Sequence, residues 1–174
     1  MKHHFQLDDI DWQILAELQS NGRITNVELA RRVGISAPPC LRRVRSLEKQ
    51  GFIDGFHAAL NQKLLGFGVT AFAMVGLASQ AESDLQAFSD EINKLPQVIE
   101  CFMLSGETDF ILKCATTDLE LFQSFIINIL TALPNVESVK TSLAIKRCKS
   151  NPGLDLQAAI KASKQGNTSP QKLS

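Results

Sequence analysis

Arg42, Arg43, Arg45 and Lys49 crowd the stretch from Ser36 to Gln50, set against the lone acid Glu48. A guanidinium is a planar fork of donors, so such arginines can bond in pairs to a guanine edge or to a phosphate. Just ahead of them stand Ser36, Ala37, Pro38, Pro39 and Cys40. Ser36 suits a helix N-cap, and prolines are tolerated in the first turn because its amide protons lack helical acceptors anyway. The plain alternative is a solvated basic helix, since arginines are common on helix surfaces. Catalytic chemistry finds less support. There is no nucleophile–base pairing and no phosphate loop, and the carboxylates of Glu107 and Asp109 lack an acid–base partner. Cys40, Cys101, Cys114 and Cys148 form no C-x-x-C pair and lie far from His3, His4 and His57, so no metal set is expected. Cys40, close to a helix start that lowers thiol pKa, is a conceivable oxidation sensor. A small residue packed where the helix meets its target is the simpler reading.

The bulk properties narrow the classes further. A chain of 174 residues suits two small domains, and 44% apolar residues suffice to build their cores. Lysine plus arginine number 18, as do aspartate plus glutamate, so any contact with a polyanion must come from a local patch. Neither a signal peptide nor an apolar run long enough to cross a bilayer is visible, and the thiols read as reduced and buried, so a cytoplasmic protein without a membrane partner is expected.

The elements that must position the arginines follow from periodicity and caps. Ile10, Ile14, Leu15 and Leu18 recur at helical spacing from Asp8 to Asn21, and Asn21-Gly22 closes that helix. Trp12, the only tryptophan, reads as packed or partly exposed on it. Thr25 starts a second helix, with Glu28 in capping-box position and Val27, Leu29, Ala30 and Val33 apolar. Gly34 ends it. The third helix keeps Leu41, Val44 and Leu47 inward and stops at Gly51, placing its arginines on another side. Phe52 to Leu60 then reads as one or two short strands turning near Asp54-Gly55, in the manner of a wing, and Asn61 as the cap of a single turn ending at Gly66. Two short helices about a Gly turn, the second one basic, are the pattern of a helix-turn-helix. In that motif the second helix enters the major groove of double-stranded DNA.

The second half changes character. Val69 to Leu77 is apolar on both alternations, which calls for cover on both faces. A helix with Leu85, Phe88, Ile92 and Leu95 inward follows, stopped by Pro96. Val98 to Leu104 and Phe110 to Ala115 read as strands flanking Ser105-Gly106-Glu107-Thr108-Asp109. Next come a strongly apolar helix from Leu119 to Leu133, stopped by Pro134, and a fourth strand from Val136 to Cys148. The order βαββαβ is the ferredoxin-like arrangement, a four-stranded sheet with two helices on one face. A second subunit is the simplest cover for the other. The expected fold class is thus α+β. Residues 1–60 form the winged helix-turn-helix with its hinge, 61–150 the ferredoxin-like domain, and 151–174 a polar, flexible tail.

Gly22-Arg23-Ile24-Thr25-Asn26-Val27-Glu28-Leu29-Ala30, then Ser36 through Val44 with its Pro-Cys-x-x-Arg run, and Leu47-Glu48-Lys49-Gln50-Gly51-Phe52-Ile53 closely resemble the leucine-responsive regulator (Lrp/AsnC) family. Ser105 to Asp109 resembles that family's Gly-x-x-Asp loop, and Val139-Lys140-Thr141-Ser142 its last-strand motif, both in the effector (RAM) domain. The resemblance covers about residues 7 to 150. It implies a bacterial or archaeal transcriptional regulator that controls amino-acid metabolism genes, with no cofactor and no catalytic residues. Its partners would be double-stranded DNA, a small effector such as an amino acid, and copies of itself as dimers and octamers. Thr25, Asn26, Ser36, Ala37, Pro38, Pro39, Cys40, Arg42, Arg43 and Arg45 are the DNA-binding candidates. Gly106, Glu107, Thr108 and Asp109 are the effector candidates, with Ser142 contributed from a facing subunit. Gly106 would let backbone amides approach a carboxylate, and Asp109 would accept from an ammonium. The same loop would serve equally as a tight hairpin turn. Two other readings stand beside this one: an architectural DNA-binding protein without effector response, and an amino-acid-binding or catalytic ferredoxin-like protein.

Overall fold

The computed structural model describes residues 7–150 and 153–164. The chain divides into two compact units. One comprises Met1–Ala58 together with Ser150–Ser174, the other Ala59–Lys149.

In the first unit, α1 (Asp9–Ser20), α2 (Asn26–Arg32) and α3 (Ala37–Lys49) enclose a core of Ile14, Leu29, Ala30, Val33, Cys40 and Leu47. Each helix starts where its sequence provides a stop for the preceding turn. Asp8 caps α1 in a reciprocal box, its side chain accepting from the Asp11 amide while Asp11 accepts from the Asp8 amide. Thr25 caps α2 by accepting from the Glu28 amide, but Glu28 does not reciprocate, so the expected capping box is only half formed. Gly34, at φ 73°, lets the chain leave α2 through a left-handed turn in which the Ile35 amide reaches back to the Ala30 carbonyl at 3.0 Å. α3 ends with the same geometry, the Phe52 amide on the Leu47 carbonyl at 2.9 Å.

Two expectations fail in this unit. Residues 52–60 form no strand, because a ladder needs a neighbouring strand and this stretch has none within the described residues. Residues 156–164, expected within a flexible polar tail, are helix α6 (Leu156–Lys164), which packs against α1. The apolar spacing of Leu156, Ala159 and Ile160, half-buried at i, i+3 and i+4, supplies the reason. The rest of the expected tail, 151–152 and 165–174, lies outside the described residues.

The second unit is an antiparallel sheet in the order β2-β3-β1-β4, built from β1 (Val69–Leu77), β2 (Val98–Met103), β3 (Phe110–Thr116) and β4 (Val136–Leu143). The last strand is shorter than its apolar pattern suggests. Asn61 forms the expected turn, its side chain accepting from the Leu64 amide. β1 buries Ala71, Ala73, Val75 and Leu77 completely or nearly so, whereas Phe72 and Met74 on the alternate face are half-buried. The inner face packs on α4 (Glu82–Ile92) through Phe88 and Ile92 and on α5 (Leu119–Asn128) through Phe122 and Phe125. Phe88 and Phe110 meet as tilted rings with centroids 4.6 Å apart. This is the ferredoxin-like order anticipated from the sequence.

Candidate functional site

α3 presents two kinds of arginine. Arg42 and Arg45 are exposed and make no ion pair among the described residues. Arg43 is committed: its Nη1 lies 2.7 Å from Asp8 Oδ2 and 2.7 Å from Asp11 Oδ1. Asp11 keeps only 5% of its side chain exposed, so a desolvated carboxylate at the start of α1 holds α3 by this one guanidinium. Burial opposes the charge on Asp8, yet the Asp11 amide and Arg43 together hold its carboxyl below the usual range. Arg43 thus braces α3 against the start of α1.

The other candidates sort in the same way. Ser36 and Pro38 are exposed at the first turn, and the Ser36 hydroxyl caps no amide, which leaves it free to bond outward. Ala37 and Pro39 are half-buried. Cys40 is fully buried, and burial pushes its thiol up, so it neither reaches a DNA surface nor has the low pKa a redox sensor requires. The Thr25 oxygen is occupied by the cap of α2. Asn26 donates from Nδ2 to the Ala37 carbonyl at 2.9 Å and so ties α2 to the first turn of α3, while its Oδ1 is buried with no partner among the described residues. On α2, Arg31 and Arg32 both close on Glu28 at 2.7 and 2.8 Å, which holds that carboxyl at about 2, and Arg32 also reaches Glu17. Local acids thus neutralise both arginines of α2 and Arg43 of α3, and leave Arg42 and Arg45 without an ion pair among the described residues.

In the second unit, Ser105, Gly106 and Glu107 are exposed, Thr108 is half-buried and Asp109 is buried. Asp109 Oδ2 accepts from the Leu77 amide at 2.7 Å and Oδ1 from Gln80 Nε2 at 2.8 Å. Its own amide donates to the Val75 carbonyl. The carboxylate expected to grip an ammonium is already used to pin the loop to the end of β1. Asn135 holds the neighbouring Ser79 backbone by a matching pair of bonds at 2.8 Å each. Ser142 stands elsewhere: it is registered opposite Phe72, whereas the loop joins β1 at Val75 and Leu77. One chain does not bring the two together.

Sequence reasoning missed Asp8, Asp11 and Gln80. The i, i+3 spacing of Asp8 and Asp11 fits a helix cap, but their link to Arg43 spans more than thirty residues and has no periodic signature. Gln80 lies between a strand and a helix, where nothing local marks it. Among the described residues no group of three or more His, Cys, Asp or Glu could hold a metal ion, and no helix is long and apolar enough to cross a membrane.

Residues 7–54 match the family model described as winged helix-turn-helix DNA-binding, and residues 70–154 match that of the Lrp/AsnC ligand binding domain. The chain is 54% identical over 144 residues to a leucine-responsive regulatory protein of Rhizobium meliloti, covering 83% of this chain and 92% of that one. It is 40% identical over 143 residues to the Escherichia coli K12 protein of the same name, covering 82% and 87%. Among solved structures, a transcriptional regulator of Neisseria meningitidis in complex with L-Met superposes with a TM-score of 0.81 at 36% identity, covering 88% of this chain and 99% of that one.

Proposed function

The chain belongs to the Lrp/AsnC family, as a helix-turn-helix DNA-binding regulator with a ligand-binding domain and not an enzyme, and from that premise we propose how it reads DNA and what it senses. Arg42 and Arg45 contact the duplex from the middle of α3, with Ser36 and Pro38 against the backbone. Arg43 orients the helix from behind through Asp8 and Asp11. The observation that carries this reading is the pair of unneutralised arginines on a helix entered through the Gly34 turn, beside a helix whose arginines are all paired.

The effector is an amino acid, as in the L-Met complex of the Neisseria relative. It meets the exposed backbone of Ser105 to Thr108, where Gly106 leaves the amides approachable. Asp109 and Gln80 fix the shape of that loop, and Ser142 enters from a second subunit. The protein acts on DNA in the cytoplasm as a homo-oligomer, on genes of amino-acid metabolism. An effector-free architectural role remains the second reading, favoured by one observation: both Asp109 oxygens already hold bonds within the subunit.

Two measurements on the purified chain test the reading. Gel-shift selection from random duplexes should return a preferred operator. Arg42→Ala and Arg45→Ala should each weaken binding to it, by about 1–3 kcal/mol for a base contact. Full operator affinity in both variants would remove α3 as the reading helix. A thermal-shift screen across the twenty amino acids should raise the melting temperature with one ligand class, because a ligand of the folded state stabilises it. No shift at millimolar ligand would select the architectural reading.

A further inference from the structure

We propose that Gly153–Lys164 is a latch built into the DNA-binding unit, gripping the outer face of α1 and holding the reading helices ready for DNA. The family match ends at residue 154, two residues before α6 begins, so this element lies outside the matched domain. Its grip is specific. Gln19, in the last turn of α1, donates from Nε2 to the Leu154 carbonyl at 2.9 Å and accepts on Oε1 from the Leu154 amide at 2.9 Å. One carboxamide thus takes both polar groups of one backbone residue, as a neighbouring strand would. The approach is close: a Cβ on Gly153 would lie 2.9 Å from Gln19 Nε2 and 3.0 Å from its Cδ, so any larger residue there would push the carboxamide aside.

The face gripped is identified by helical geometry. Trp12, Ala16 and Gln19 follow at i, i+4 and i+7, a single stripe, whereas Ile10, Ile14 and Leu18 occupy the opposite, core-facing side. Trp12 and Ala16 are nonetheless half-buried. α6 packs on α1 with its own apolar stripe of Leu156, Ala159 and Ile160 half-buried, and the proposed latch sets that stripe over Trp12. The same α1 carries Asp8 and Asp11, which hold Arg43 of the recognition helix. Latch, brace and reading helix are therefore consecutive layers. The chain also enters the DNA-binding unit twice, once at each end of the ligand-binding unit. A segment already docked on α1 leaves less order to be imposed there when DNA binds.

Because Trp12 is the only tryptophan, its fluorescence reports the latch directly and without DNA. The functional half of the inference rests on the DNA-binding reading above. The test compares the full chain, a chain ending at Ser150, and Gln19→Glu in the full chain. That substitution keeps the acceptor for the Leu154 amide but sets a carboxylate oxygen against the Leu154 carbonyl. Truncation should move Trp12 emission to the red and raise its quenching by acrylamide, with Gln19→Glu in between and the far-UV spectrum of α1–α3 retained. Operator affinity at fixed salt should fall about threefold to tenfold in both, the size expected when one released segment must be ordered again. Unchanged Trp12 emission on truncation overturns the latch. So does a red shift with unaltered operator affinity. A third overturning result is a reduced salt dependence on truncation with no effect of Gln19→Glu, since that assigns the segment to phosphate contact. If the intact chain binds no duplex at all, the functional reading fails while the emission data still decide whether the latch exists.

Discussion

Three arginines within four residues of α3 carry the same charge and do different work, and the difference lies in what stands opposite each. Arg43 meets two carboxylates from the start of α1; Arg42 and Arg45 meet none among the described residues. Removing Arg43 therefore harms the fold before it harms recognition. Arg43→Met leaves Asp11 desolvated without its counter-ion. It should cost about 1–2 kcal/mol in urea unfolding of the DNA-binding unit, toned down from a fully buried pair because the guanidinium is one-third exposed. The acid limb of stability shifts as well. Asp8 has its folded pKa below the ordinary 3.8, so its contribution is fully present above that value and fades as pH falls through the lower, folded one. Without Arg43 the folded value moves back toward 3.8, and acid unfolding should begin at higher pH. An Arg43→Met chain with wild-type urea and acid transitions would show that the ion pair does not hold the helix.

At the scale of elements, the turn between α2 and α3 sets the angle at which the arginines are offered. Gly34 occupies the left-handed region there, and a Cβ on it would meet no atom within 4 Å. Any cost of substitution is thus conformational and not steric. Gly34→Ala should lower stability by about 1–2 kcal/mol, and Gly34→Asn by less, because Asn tolerates that region. Equal melting temperatures for Gly34→Ala and wild type would mean the turn relaxes to another geometry. Such signals are local, which is why α1, α2 and α3 could be read from Asp8, Thr25, Ser36, Gly34 and Gly51 with ends correct to a residue or so. The ferredoxin-like order was legible for a related reason, since each strand announces its inner face by apolar alternation. What escaped depends on partners distant in sequence. Residues 52–60 have strand-like composition, but pairing is decided by a neighbour this stretch lacks. α6 was hidden because Leu156, Ala159 and Ile160 sit among Gln, Ser and Lys, and their helical stripe acquires meaning only against α1. The partners of Arg43 and Asp109 escaped for the same reason: the acids and amides that occupy them come from 29 to 35 residues away.

At the scale of the whole molecule, the ligand-binding sheet has an outer face that one chain leaves open. Strand register lines up Phe102, Ile111, Met74 and Lys140 in one row, and Glu100, Lys113, Phe72 and Ser142 in the next. Phe102 is 55% exposed, Ile111, Met74 and Phe72 are half-buried, and Lys113 pairs with Glu100 at 2.5 Å. A contiguous apolar patch rimmed by charges is the composition of a self-pairing surface, and a two-fold axis would set it against itself. Met74 tests this well because it lies on the central strand β1 and points away from the core built on Ala73 and Val75. Met74→Lys should therefore spare the melting of the unit itself while placing two like charges near each other across the axis. In sedimentation it should run as a lighter species than wild type. Its operator affinity should also fall, since two half-sites held by one dimer gain from effective concentration and two separate chains do not. If Met74→Lys sediments like wild type with its fold intact, the outer sheet face does not pair with a second copy of the chain.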